Sequence, residues 1–236
     1  MKIFDGHTHV EQGRAAYDLK GVTRWNVIFN SIESYSVHRH LLKRGDSATL
    51  LFDYQKAYDV VARELKAGRV QALKIHARTQ RLGKKDYPAL EKRLASLRTK
   101  RPVIYDAFYY GDDLQHQPSL EHLIRLATVF PEIPFVVAHS GGYEVLKYFF
   151  HLRPLANIHY DLSFSLHYLH DTSCFQDLVK LIQFTDKSKI LFGSDYPWVF
   201  PKRQLAILKG IFQKLRLAKV DQEKILYHNA DRLFSL

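Results

Sequence analysis

Eight short runs rich in β-branched and aromatic residues punctuate this chain, and most of them carry a histidine, an aspartate or a serine at their last or next-to-last position. They are Lys2–Val10, Arg24–Asn30, Thr49–Asp53, Gln71–Ala77, Pro102–Ala107, Pro134–His139, Ile158–Phe164 and Lys189–Ser194. Each reads as a strand. Segments of helical period follow several of them: Tyr54–Ala67, Tyr87–Thr99, Leu120–Phe130, Gly142–Phe150, Thr172–Phe184, Gln204–Leu215 and Gln222–Phe234. Ser119, after Pro118, reads as an N-cap, and Asp221 as the N-cap that opens the last helix. Alternation of this kind fits a doubly wound sheet as well as a barrel. The strand ends decide between them. A generic sheet has no reason to end strand after strand on His or Asp, whereas a barrel gathers those ends around one mouth. The expected fold is a (β/α)8 TIM barrel, regular or slightly distorted, in one domain over residues 1–236.

Side chains on a strand repeat every second residue, so Ile3, Asp5, His7 and His9 are expected on one face of the first strand. Two imidazoles so placed can grip one metal ion, because neutral imidazole is a preferred ligand of zinc and similar ions. The same count groups Ala72, Lys74 and His76, then Phe135, Val137 and His139, then Leu191, Gly193 and Asp195. Each polar terminal residue would thus continue a row of small or apolar residues lining a barrel interior. A second pair, His38 and His40, falls in a loop or helix, where residues two apart do not face together, and reads as solvated surface.

Composition narrows the function. The single cysteine, Cys174, excludes an intramolecular disulfide. The start has no apolar signal region, and no run approaches the ~20 apolar residues of a membrane span. A soluble, cytoplasmic protein is expected. The net charge of +11 invites a nucleic-acid reading. The basic residues, however, are spread along helices with no aromatic-basic module, so dispersed surface charge or a basic funnel toward an acidic small molecule fits better.

Taken in order, these segments resemble the amidohydrolase superfamily, in the group that holds metal-dependent hydrolases and decarboxylases of aromatic and unsaturated acids. The residues that carry the resemblance are Asp5-Gly-His7-Thr-His9, Lys74-Ile-His76, Pro134 to Gly142 around His139, Tyr160-Asp161-Leu-Ser163, Gly193-Ser-Asp195-Tyr-Pro-Trp198 and His228-Asn-Ala230. The resemblance implies that His7 and His9 bind a metal. Asp195 would act as metal ligand or base, and His139 as ligand or general acid/base. Gly141 and Gly142 would let backbone approach the substrate, and Asp161 and Ser163 would support the mouth. The fifth strand departs from the pattern. The group usually reads Pro-Val-x-x-His, and this chain reads Pro102-Val-Ile-Tyr-Asp106. A carboxylate there can itself ligate zinc or manganese, shifting preference toward harder ions, or can mark a site that works without metal.

The expected activity is a metal-dependent hydrolase in which metal-activated water attacks an amide, ester or lactone carbonyl of a small, anionic molecule. Its metal ligands are His7, His9, Asp195 and Asp106, and its catalytic residues His139 and Asp195. The cofactor is one divalent ion, Zn²⁺ first and Mn²⁺ second. Arg78, His76, Ser163 and Trp198 are substrate-binding candidates, with Arg78 as a carboxylate clamp. Lys74 is either carbamylated, as in some amidohydrolases, or ion-paired with Asp106 or Asp195. Tyr109, Tyr110, His116, His167 and His170 are pocket candidates by position alone. Non-oxidative decarboxylation in the same site is the nearest rival, and a metal-independent lactonase or a non-catalytic barrel stands behind it. A TatD-like nuclease would need Glu where Lys74-Ile-His76 stands. Short loops leave the mouth open or completed by a second subunit, and a homodimer is the common outcome.

Overall fold

The computed structural model of the chain describes residues 1–10, 21–109 and 114–235. Eight parallel strands follow one another in chain order: β1 (Phe4–His9), β2 (Arg24–Phe29), β3 (Ser47–Leu51), β4 (Ala72–Ile75), β5 (Val103–Asp106), β6 (Phe135–Ala138), β7 (Ile158–Asp161) and β8 (Ile190–Leu191). Each pairs with the next, and the sheet closes just past β8. Gly6 N–H donates to Phe192 O (2.9 Å), Asp195 N–H to His7 O (2.8 Å) and His9 N–H to Tyr196 O (2.7 Å). The chain folds as the expected TIM barrel.

The helices are α1 (Ile32–His38), α2 (Tyr58–Lys66), α3 (Ala77–Gln80), α4 (Tyr87–Ser96), α5 (Leu120–Val129), α6 (Val145–Leu152), α7 (Ser165–Tyr168), α8 (Cys174–Phe184), α9 (Pro201–Lys214), α10 (Lys219–Glu223) and α11 (Asn229–Phe234). Ser119 caps α5 as expected, its hydroxyl accepting His122 N–H. Asp221 does not cap the last helical segment. Ala218 holds that position, and Asp221 lies in the first turn, where a carboxylate favours the positive end of the helix dipole. A π-turn over Lys224–His228 joins α10 to α11. Helix α1, absent from the sequence reading, is short, capped by Ser31, and buries only Tyr35. Among the described residues no helix is long and apolar enough to cross a membrane.

Strand side chains divide into two layers. Val27, Phe29, Leu50, Leu73, Val103, Phe135, Val137, Ile158 and Tyr160 face outward and pack with the helices. Phe4, Ile28, Ala72, Ile104, Val136, Ala138 and Leu191 face inward and meet Ala230, Leu233 and Phe234 of α11, which close the lower end of the barrel. Ser47 Oγ donates to Phe234 O (2.7 Å) and Asn229 Nδ2 to Ile190 O (2.7 Å), fixing that floor.

This division corrects two expectations. Phe135 and Val137 face the helices, so His139 does not continue an inward row. It reaches the mouth because the chain turns into the left-handed region at His139, with φ +57°. On β1, Ile3 faces out and Phe4 in. The pairing with β2 slips between Asp5 and Thr8, a bulge that turns the later residues relative to the earlier ones. Asp5 and Asn26 hold that bulge. Asp5 Oδ1 accepts Ser194 N–H (2.8 Å) and His7 N–H (3.3 Å), and Asn26 Nδ2 donates to Gly6 O (3.0 Å).

Candidate metal centre

The C-terminal ends of β1, β4, β5, β6 and β8 meet at a cavity of about 270 Å³, lined by His9, Asn30, Lys74, His76, Arg78, Thr79, Asp106, His139, Phe164, Asp195 and Trp198. On one side stand His7, His9 and Asp195, whose ligand atoms all lie within 4.8 Å of one another. Asp195 Oδ1 is 3.5 Å from His7 Nε2 and 3.4 Å from His9 Nε2. Asp195 holds this place with φ +65°, an uncommon conformation for a non-glycine residue and one that often marks a working site.

The residues beneath settle the His7 tautomer. His7 Nδ1 lies 2.5 Å from Asp161 Oδ2, and that oxygen also accepts the Ser163 hydroxyl at 2.6 Å. Asp161 therefore accepts a hydrogen bond from the His7 Nδ1–H and leaves the Nε2 lone pair toward Asp195, where Lys74 Nζ approaches at 3.3 Å. Burial pushes both imidazoles below their usual pKa, His7 furthest, with the charge of Lys74 adding to the shift. Neutral imidazoles beside an ionised carboxylate are the donor set that divalent zinc-like ions take. Burial would raise the Asp195 pKa, but its contact with His9 and the charge of His139 hold it well below the usual carboxylate range, and it stays ionised. The chemistry of the residues present thus fits one divalent cation held by His7, His9 and Asp195.

The opposite wall is cationic and centred on Asp106. Its Oδ2 lies 3.6 Å from Lys74 Nζ, 3.6 Å from His76 Nε2 and 3.5 Å from His139 Nε2. Burial alone would raise the Asp106 pKa, but His76, His139 and Lys74 hold it well below the usual carboxylate range. Asp106 stands outside the group formed by His7, His9 and Asp195. His139 Nδ1 faces the Ser163 carbonyl at 3.1 Å, an acceptor only, so Nδ1 carries a proton and Nε2 points to Asp106. Burial would lower the His139 pKa, yet Asp106 and Asp195 outweigh it and raise it to about 9. Burial brings His76 down to about 4.

The other candidates divide clearly. Arg78 and Trp198 line the cavity, with the half-exposed indole edge-on to His9 at 5.1 Å. Ser163 is fully buried and does not line it. Its hydroxyl and backbone N–H are both taken by Asp161, so it supports the site from below. Gly141 and Gly142 also lie off the cavity. A Cβ on Gly141 would meet the Tyr148 ring at 2.6 Å, so this glycine serves close packing and a left-handed turn. Tyr109 packs on Tyr143, His170 packs on Phe175, and neither they nor His116 and His167 line the cavity. Tyr110 lies outside the described residues. The sequence reading missed Asn30, Thr79 and Phe164. The polar end of β2 was the available signal for Asn30, while Phe164 reaches the cavity through a positive φ that no pattern announces. A larger cavity of about 610 Å³, bordered by Phe149, Phe150, Phe184 and Tyr160, opens between α6 and α8, away from these groups.

Fold and site together define a TIM barrel with a candidate metal centre at its C-terminal mouth. The chain belongs to the amidohydrolase family (the Amidohydro_2 group), whose sequence pattern it matches over residues 48–236. No curated protein matches the chain by sequence. Among solved structures it is similar to an uncharacterised TIM-barrel protein, Bb4693, from Bordetella bronchiseptica. The TM-score is 0.73 at 17% identity, with 100% of this chain and 99% of the other covered. It is also similar to a 2,6-dihydroxybenzoate decarboxylase from Rhizobium, with TM-score 0.67, 14% identity, and 99% and 98% covered. A third similar structure is a 2,6-dihydroxybenzoate decarboxylase in complex with 2,6-dihydroxybenzoate, with TM-score 0.67, 14% identity, and 96% and 88% covered. At these identities the likeness is one of fold.

Proposed function

We propose that this chain is a metal-dependent hydrolase that opens an amide, ester or lactone carbonyl of a small anionic molecule. The observation that carries the reading is the convergence of two neutral imidazoles and one ionised carboxylate, His7, His9 and Asp195, at a cavity whose other wall is cationic. These three residues would hold one divalent ion, Zn²⁺ by donor type, with Mn²⁺ second. Such an ion supplies Lewis acidity, bringing the pKa of a bound water to ~7 and polarising a carbonyl. Asp195, beside both imidazoles, accepts the proton of the attacking water. His139, kept charged by Asp106, gives its Nε2 proton to the departing nitrogen or oxygen. Arg78 clamps a substrate carboxylate, and Trp198 and Phe164 wall the body of the substrate.

A specific observation favours non-oxidative decarboxylation as the second reading. His139 is held as an acid between Asp106 and the aromatic edges of Phe108 and Phe164, at 5.8 and 6.0 Å. A proton from His139 would then replace CO₂ on the substrate carbon. Two of the similar structures bear the name of such an enzyme.

Elemental mass spectrometry of protein purified without chelator tests the shared premise. Near-stoichiometric zinc or manganese is expected, and the variant His7→Ala should lose it. A chain that neither carries metal nor takes up added metal refutes the reading. Lactone, ester and amide hydrolysis screened beside CO₂ release then separates the two reactions.

A further inference from the structure

The two imidazoles of the metal centre are supported unequally. His7 has the Asp161 carboxylate on its Nδ1, whereas His9 Nδ1 faces the side-chain amide of Asn30, at 3.4 Å, just past β2. As placed, the amide nitrogen faces the ring and Asn30 Oδ1 is buried without a hydrogen-bond partner. An imidazole that turns its Nε2 lone pair to a cation carries its proton on Nδ1 and needs an acceptor there. The amide nitrogen and oxygen are interchangeable by a half-turn of the side chain, and the hydrogen-bond network selects between them. Turned, the oxygen takes the place beside His9 Nδ1 and gains its N–H as a partner.

We infer that Asn30 is a positioning residue for His9: its amide oxygen accepts the Nδ1 proton and fixes the tautomer that presents Nε2 beside Asp195. Asn30 serves His9 as Asp161 serves His7, with a neutral acceptor in place of a charged one. The inference rests on the metal reading proposed above.

The test measures Zn²⁺ affinity by competition with a chromophoric chelator, alongside ¹H–¹⁵N spectra of the imidazoles in the Zn²⁺-loaded protein. Asn30→Leu removes the acceptor at similar size, Asn30→Ser leaves a polar group too short to reach, and Asn30→Asp keeps the acceptor. Affinity should fall about 10–100-fold in the Leu and Ser variants and stay within a few-fold of wild type in the Asp variant. A protected His9 Nδ1–H resonance should persist in wild type and Asn30→Asp and vanish in the other two. Leu and Ser variants that bind Zn²⁺ like wild type and keep the resonance overturn the role of Asn30 alone. A wild-type chain that takes up no Zn²⁺ overturns the metal reading and this inference with it.

Discussion

Gly193 occupies a point of the barrel wall where the support of the candidate metal centre leaves no room for a side chain. A Cβ there would lie 2.5 Å from Asp161 Oδ1 and 2.9 Å from the Cβ atoms of His7 and Ser163, where ordinary contact begins at 3.4 Å. In Gly193→Ala the Asp161 carboxylate must retreat by most of an ångström, and it has no slack, being bonded to Ser163 and His7 at 2.8 Å or less. Overpacking of this kind costs about 1–3 kcal/mol. For a chain of this size about 2 kcal/mol lowers Tm by about 4–8 °C. Losing the Asp161 bond to His7 should also weaken Zn²⁺ binding about 10–100-fold. Gly210 supplies the control. A Cβ there meets nothing within 4 Å in the middle of α9, so Gly210→Ala should gain about 0.5–1 kcal/mol and leave metal binding unchanged. Thermal melts and chelator competition on both variants decide the matter. A Gly193→Ala protein that melts and binds Zn²⁺ like wild type would refute the argument.

Two further outcomes test the scaffold. Glu64 accepts two hydrogen bonds from Arg69, at 2.7 and 2.9 Å, and these hold its pKa down to about 2 against the effect of burial. A depressed carboxylate contributes stability above its unfolded pKa of ~4.5 and loses it as pH falls toward 2. With Arg69 half-exposed, solvent screening brings the contribution to about 1 kcal/mol. Urea titrations should show Glu64→Gln less stable than wild type at pH 7, with the gap closing by pH 2–3. A gap that persists in acid would assign it to packing instead. Phe234 is buried in the barrel floor, and Phe234→Ala should cost about 3–5 kcal/mol in the same assay. A loss below 1 kcal/mol would mean that α11 does not seal the interior.

Much of the architecture was legible because each strand is a local pattern ending on a polar residue that only a shared mouth explains. His7, His9, Lys74, His76, Asp106, His139 and Asp195 were all named from strand ends, and the fold brings them to one site. What failed was the counting that assigned His139 and the residues of β1 to faces. Ile3, Asp5, His7 and His9 do not form one row, because the bulge in β1 depends on Asn26 of β2 and Ser194 beyond β8. His139 reaches the mouth through a positive φ rather than strand alternation, whereas Asp195 does continue the inward row of Leu191 and Gly193. Ser163 was misplaced for a related reason: strand order puts it at the rim, while its bonds to Asp161 draw it beneath His7. Contacts between residues distant in sequence decide all of these, and local periodicity does not encode them.

The floor of the barrel bears on how the molecule can be made. Ser47 bonds to Phe234 across 187 positions, and Ser194 to Asp5 across 189. The entropy of closing so long a loop grows only as the logarithm of its length, but contacts this remote in sequence form slowly. A nascent chain whose residues 190–235 are still inside the ribosome lacks both the strand that shuts the ring and the helix that fills its base. Until those segments emerge, the inner faces of β1 to β7 have only water or a chaperone to cover Phe4, Ile28, Ile104 and Val136. The barrel therefore cannot close until β8 and α11 have both been made, and closure joins its first strand to its last.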